Sequence, residues 1–233
     1  MKAINPFVRP NPLLRETVER LIAENAIRHT AIELASGEYL LREGDNIRTT
    51  FFLAKGLVKL SSVSGEGYAK TIFLHKPGTL IGFQELQEKE DRKPSILNGQ
   101  AITKSSVVVL DGREFSDYLK THGDACYAMA QYLFSMLSLQ TSEAVNATMY
   151  SVLERFAALL LTLAQEIGAT EEPALIPFSN GELAEMLGVH VNSITNAVSA
   201  LRRSGCVDRQ RSYLAIIDFT KLHAIADSLM PDE

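Results

Sequence analysis

Five short runs rich in β-branched and aromatic residues crowd residues 30–112: EYLLRE, TTFFLAKG, LVKLSSV, AKTIFLH and SSVVVLDG. Turn signals at Gly44, Gly56, Gly65, Gly67 and Pro77-Gly78 separate them. Many short strands at regular spacing fold as a barrel or sandwich. The glycines suit tight corners, which favour a residue tolerant of positive φ. Then the pattern stops. Residues 114–147 hold no proline and one glycine, Gly123, placed to divide a short helix from a long one. A chain carrying both patterns in this order is α+β and has more than one domain.

The 233 residues leave room for about two domains. A net charge of −5 excludes a general basic coat, so any nucleic-acid contact must come from a local patch. Cys126 and Cys206 form no CxxC and read as reduced, buried thiols of a cytoplasmic protein. The opening MKAINPFVRPNPLLRE lacks the apolar core of a signal peptide. The most apolar run, FAALLLTLA, is too short to cross a bilayer, so no membrane partner is expected.

Helical periodicity places a short amphipathic helix in residues 11–28, with Leu14, Val18, Leu21, Ile22 and Ile27 on one face. Along the long helix, Ala130, Leu133, Leu137, Gln140, Ala144 and Ala147 recur at alternating steps of three and four. Such a heptad seam predicts a homodimer, or else a helix lying on its own barrel. A parallel stripe of Met129, Tyr132, Met136 and Leu139 is free to face the barrel. An apolar helix over residues 152–166 follows, then a polar loop, IGATEEPALIP.

The stretch FSNGELAEMLGVHVNSITNAVSALRRSG reads as two helices around a glycine. Ser179 and Glu182 have capping-box spacing, and Gly188 suits a left-handed C-cap. Ile194, Val198 and Leu201 give the second helix one apolar face. Ala184, Gly188 and Ile194 lie at the spacing of a helix-turn-helix, although an ordinary αα-hairpin shares it. Arg202, Arg203, Arg209 and Arg211 cluster just beyond, in an otherwise acidic chain, as candidate phosphate contacts. CVDRQRSYLAIIDF reads as a hairpin in the position of a wing, and TKLHAIADSL as a last helix.

Barrel, long helix and winged helix-turn-helix, in that order, resemble the CRP/FNR family of bacterial transcription regulators, over almost the whole chain. The spacing of Gly44, Gly56, Gly67, Gly78 and Gly82, and the run ELAEMLGVHVNSITNAVSALRRSGCV, carry the likeness. The resemblance implies a jelly-roll, cyclic-nucleotide-binding-like barrel over 1–120, a dimerisation helix and hinge over 121–148, and a winged helix-turn-helix over 149–233. It implies a cytoplasmic homodimer, not an enzyme, that binds a pseudo-palindromic operator in double-stranded DNA and works with RNA polymerase. Exposed acidic loops such as 165–172 are candidates for the polymerase contact. On the long helix it implies a dimer interface of Leu133, Leu137, Gln140, Ala144 and Ala147.

It also implies an effector between barrel and long helix, and here the chain departs from the family. The cyclic-nucleotide cassette has Glu after the glycine matching Gly82; here Phe83 follows, with Glu85 two residues on. The Arg-Ser pair for the phosphate falls on Lys93 and Pro94, and Lys93 lacks the guanidinium fork. Thr141 and Ser142 do match the positions that meet the base. No Cys precedes Cys126, which argues against the iron–sulfur branch, and His75, His122 and Cys126 are isolated candidates for haem ligation. What remains resembles branches sensing small organic molecules, halogenated phenols among them. The expected pocket gathers Gly82, Phe83, Glu85, Leu86, Lys93, Tyr127, Met129, Gln131, Tyr132, Thr141 and Ser142, with aromatic rings for stacking.

The family's base readers, Arg, Glu and Arg, correspond to Val191, Asn192 and Asn196, with His190 and Ser193 beside them. Asn pairs well with adenine, and Val packs on a thymine methyl, which predicts an operator rich in A·T contacts. Two other readings stay open: a cyclic-nucleotide-responsive regulator, and a ligand-binding module without DNA binding. A cupin-like metalloenzyme is disfavoured because His29, His75, His122, His190 and His223 are all isolated, leaving no metal site.

Overall fold

The computed structural model describes residues 4–65, 67–87, 89–169, 171–209 and 213–227. Contacts divide the chain into two compact units. One comprises Phe7–Val63 and Thr71–Ser138; the other comprises Met1–Pro6, Ser64–Lys70 and Leu139–Glu233.

The first unit is a two-sheet β structure. One sheet runs in the order β1 (Phe7–Val8), β6 (Ala69–His75), β5 (Val58–Val63), β8 (Asn98–Ala101) and β3 (Tyr39–Leu41). The other runs β2 (His29–Leu34), β9 (Ser105–Asp111), β4 (Thr49–Lys55) and β7 (Leu80–Ile81). The core between them is aliphatic: Leu53, Val58, Leu74, Leu80, Ile81, Val107 and Leu110 are all buried. Burying such side chains contributes roughly 1.5–3 kcal/mol each. The helix α1 (Pro12–Ala23) starts where Asn11 accepts the Leu14 N–H at 3.0 Å, with proline in its first turn, and buries Leu14, Val18 and Leu21. The helix α2 (Gly112–Thr121) is capped by Asp111.

The expected strands are all present, and the structure adds β1, β2, β7 and β8. The segment NGQA of β8 has weak strand propensity; pairing with both β3 and β5 holds it. Cys126 is exposed, contrary to the expectation of two buried thiols, while Cys206 is buried.

The long helix α3 (Gly123–Met149) is divided from α2 as predicted, with the break at His122 and Gly123 as the first residue of the long helix. Within the first unit its buried stripe is Ala125, Ala128, Met129, Tyr132 and Met136. The Tyr132 hydroxyl donates to the Leu80 carbonyl at 2.9 Å and accepts the Leu80 N–H at 3.1 Å. Burial pushes that phenol's pKa well up, so it stays a neutral hydrogen-bonding plug.

The second unit centres on α4 (Val152–Glu166), opened by a capping box of Ser151 and Glu154 and buried along most of its length. Around it stand α5 (Asn180–Leu187), α6 (Val191–Arg203), α7 (Phe219–Asp227) and a small sheet. That sheet orders β10 (Ala174–Ile176), β12 (Leu214–Ile216) and β11 (Val207–Arg209). The segment expected to be a polar loop thus contributes a strand. Ala174 and Ile176 are buried where β10 pairs with β12, which outweighs the polar composition around them.

Candidate nucleic-acid interface and ligand pocket

The helix-turn-helix is built by its caps. Ser179 accepts the Glu182 N–H at 3.2 Å, and the Glu182 carboxylate accepts the Ser179 N–H at 2.8 Å. The helix α5 ends at Gly188, in the left-handed region at φ +63°. Glycine meets two demands here, because a Cβ would also sit 2.5 Å from Lys70 Cδ. Lys70 Nζ donates to Glu143 at 2.7 Å and to the Met186 carbonyl at 3.0 Å, satisfying a free carbonyl at the end of α5.

The second helix, α6, is capped by His190, whose Nδ1 accepts the Asn192 N–H at 3.1 Å. The Tyr68 ring lies edge-on to this imidazole, with centroids 5.7 Å apart. Ile194, Val198 and Leu201 are buried, as predicted from their spacing. The opposite face presents Val191, Asn192, Thr195, Asn196 and Ser199 to solvent, while Ser193 is half-buried. Thr195 and Ser199 were missed by sequence reasoning; the same helical period that exposes Val191 and Asn192 places them one and two turns on.

Of the arginines, Arg203 is exposed and has no carboxylate partner among the described residues. Arg202 lies 3.7 Å from Asp208. Arg209 donates to the Asn180 side chain, and Asn180 in turn donates to Thr195 at 3.3 Å. That chain ties β11, the start of α5 and the exposed face of α6 together. Arg211 lies outside the described residues. The face as a whole is polar and uncharged along α6, with cations at its end.

The first unit holds an apolar cavity of about 400 Å³. Leu41, Leu60, Phe73, Ile81, Phe83 and Met136 form its body. Gln84, Gln87, Asp91, Lys93 and Ser95 supply polar groups, with Lys93 its one lining cation among the described residues. Gly82, at φ +84°, lies in the wall, where a Cβ would meet the Thr49 carbonyl at 2.8 Å. The Gly82 carbonyl accepts the Thr50 hydroxyl at 3.0 Å.

Of the residues expected in the pocket, the cavity brings together Gly82, Phe83 and Lys93. Tyr132 stands behind it, its ring edge-on to Phe83 at 6.2 Å. The other expected members do not line it. Tyr127 is exposed, on a different face of α3 from Met129. Gln131 accepts from Asn11 at 3.3 Å. Glu85 pairs with Arg92 at 2.9 Å beside a different, polar cavity. Leu86 ends the short 3₁₀ turn Gln84–Leu86, and Thr141 and Ser142 lie exposed on α3.

His75 is no open ligand site. It is fully buried, and the Thr79 hydroxyl, which donates to the Lys76 carbonyl at 2.7 Å, accepts from His75 Nδ1 at 3.2 Å. Burial pushes its pKa down to about 3, so the ring is neutral. No cluster of potential metal ligands occurs among the described residues.

Along α3, the expected seam residues Leu133, Leu137, Ala144 and Ala147 are exposed, and Gln140 is partly so. Leu137 is 61% exposed and Phe134, absent from the expected seam, 69%. No helix among the described residues is long and apolar enough to cross a membrane.

Comparison with known proteins matches each part of the chain to a known domain. Residues 31–122 match the cyclic nucleotide-binding domain, and residues 154–225 match the Crp-like helix-turn-helix domain. The transcriptional activator protein anr of Pseudomonas aeruginosa is 22% identical, over 90% of this chain and 86% of its own length. Electron transport regulator A of Shewanella oneidensis is 19% identical, over 83% of this chain and 77% of its own. Among solved structures, the c-di-GMP responsive global regulator CLP of Xanthomonas campestris superposes with a TM-score of 0.77 at 17% identity, covering 87% of this chain and 99% of that one. The CRP/FNR-family regulator TTHA1359 of Thermus thermophilus gives 0.72 at 22% identity, covering 86% of this chain and all of that one.

Proposed function

The chain belongs to the CRP/FNR family of DNA-binding transcription regulators, which are not enzymes, and on that premise we propose that it acts as a ligand-controlled homodimer. Residues 1–120 sense the effector, 121–148 form the dimer helix and hinge, and 149–233 bind DNA. The observation that carries this reading is the exposed apolar stripe of α3, including Leu133, Phe134 and Leu137. Large apolar side chains exposed along one helix favour burial against a partner. A second copy of the same helix meets that need by the heptad spacing.

In the dimer, two α6 helices must stand about 34 Å apart to enter successive major grooves. Val191, Asn192 and Asn196, aided by His190, Ser193 and Thr195, read an A·T-rich half-site, while Arg202, Arg203, Arg209 and Arg211 hold phosphates. The effector is a small organic molecule with an apolar body for the Phe73–Phe83 cavity and an anionic or polar end for Lys93. It shifts DNA binding only by its differential affinity for the two dimer states. The protein works in the cytoplasm with RNA polymerase, for which residues 165–172 are the candidate contact.

Selection of bound sites from a random DNA pool, with sedimentation of the free protein, tests the reading. A dimer that recovers a two-fold symmetric site with A·T contacts supports it. A monomer, or a half-site whose essential base pair under α6 is G·C, refutes it. The cyclic-nucleotide alternative loses ground because, among the described residues, no arginine lines the apolar cavity to clamp a phosphate.

A further inference from the structure

A second cavity, of about 540 Å³, shares Gln84 and Lys93 with the apolar pocket but has the opposite chemistry. Its cations are Arg48, Lys89, Arg92, Lys93 and Arg113, against the carboxylates of Glu85 and Asp111. Both carboxylates are already engaged. Asp111 accepts the backbone N–H groups of Arg113 and Glu114 at 3.0 Å each and pairs at 2.7 Å with Arg28, which lies outside the lining. Glu85 holds Arg92 at 2.9 Å, and Arg92 also donates to the Gln87 carbonyl at 3.2 Å. Gly112 makes room for this arrangement: a Cβ there would meet Glu85 Cγ at 3.0 Å and the Arg48 carbonyl at 2.7 Å.

Arg48, Lys89, Lys93 and Arg113 are left facing one cavity, with no carboxylate in ion-pair distance among the described residues. Like charges gathered in a concave site raise its potential and attract counter-ions. A second observation is independent of charge. Gln84 Oε1, in the same wall, is buried without a hydrogen-bond partner among the described residues. An orphaned acceptor of this kind calls for a donor. An adjoining groove continues the site past Lys89, Arg92 and Arg113 to Lys120, which is held by Asp117 at 2.9 Å.

We propose that this cavity is a second ligand site, for a small polyanion bearing phosphate or several carboxylates together with a hydrogen-bond donor. Arg48 and Arg113 bring guanidinium forks that match either group bidentately, and Lys89 and Lys93 act as point charges. Gln84 Oε1 takes the donor. The site is built from residues of the first unit alone and does not depend on the operator reading.

Titration calorimetry of the full chain at low salt, with inorganic pyrophosphate and with citrate as probes, tests it. The Arg48→Gln/Arg113→Gln double variant removes both forks from exposed side chains, and the Arg203→Gln variant controls for anions captured at the DNA face. We expect saturable 1:1 binding of at least one probe. Each fork removed should weaken it about tenfold, since a charge-assisted contact contributes on that order. Arg203→Gln should leave it unchanged. Pyrophosphate alone binding identifies a phosphate ligand, and citrate alone a polycarboxylate. Absence of saturable binding by both probes, or binding that survives the double variant or falls with Arg203→Gln, overturns the proposal.

Discussion

His75 gives the sharpest stability prediction. The ring is wholly buried on β6, its Nδ1 is occupied by Thr79, and its Nε2 has no partner among the described residues. A proton there would create a charge in an apolar interior, which is why the pKa falls from 6.5 to about 3. The unfolded chain binds that proton at its ordinary pKa. The neutral ring's stabilisation is therefore complete above pH 6.5 and is lost progressively as pH falls from 6.5 toward 3. Each pH unit in that window costs about 1.4 kcal/mol, so the step from pH 7 to pH 5 costs about 2 kcal/mol through this residue. The variant His75→Asn keeps an amide N–H near the Nδ1 position for Thr79 but cannot titrate. Urea unfolding followed by circular dichroism, at pH 7 and pH 5, for wild type and variant, isolates the term. The other histidines and the carboxylates contribute equally to both chains and cancel. The variant should begin less stable at pH 7, by roughly 1–3 kcal/mol, yet lose about 2 kcal/mol less on acidification. Equal losses in the two chains would mean that the folded barrel accepts a proton at His75, and would refute the burial argument.

Three further outcomes follow from the surfaces. Leu137→Glu places a charge in the exposed α3 stripe and should convert a sedimenting dimer to monomer, with operator affinity falling at least tenfold; an unchanged dimer would remove α3 as the interface. Arg203→Gln should weaken binding to all DNA sequences alike and reduce the salt slope by about one, read from affinity at several salt concentrations; a change confined to sequence preference would reassign Arg203 to base reading. Asn196→Ala should cost about 1–3 kcal/mol on the selected site and much less on random DNA, measured by competition; an equal loss on both would make Asn196 a backbone contact.

Much of the architecture was legible because its signals are local. Ser179-x-x-Glu182 and Gly188 announce the helix-turn-helix through caps that need only neighbouring residues. The break at His122, just before Gly123, is equally local. The strands β8 and β10 were not legible, because long-range pairing decides them rather than the residues of NGQA or ALI. The same division runs through the pocket. Gly82, Phe83 and Lys93 follow from the resemblance to the family's cassette, which places them by position. Tyr127 was misplaced because two residues along a helix turn the side chain by ~200°, away from the buried face of Met129. Glu85 sits in a 3₁₀ turn, whose tighter winding sends it to the polar cavity, a direction no periodicity predicts. Phe134 lies outside the predicted seam because a heptad pattern marks a line one residue wide, whereas an exposed helical face is broader.

The contact between Gly188 and Lys70 bears on how sequences of this kind can drift. At Gly37 and Gly44, also at positive φ but with open space around them, asparagine should be an acceptable replacement. At Gly188 any side chain would first have to expel the Lys70 stem, and with it the bonds to Glu143 and the Met186 carbonyl. A lineage that shortened residue 70 would lift one of the two constraints on residue 188 and leave only the backbone one. Positions 70 and 188, far apart in the chain, should therefore covary among close relatives, lysine keeping company with glycine.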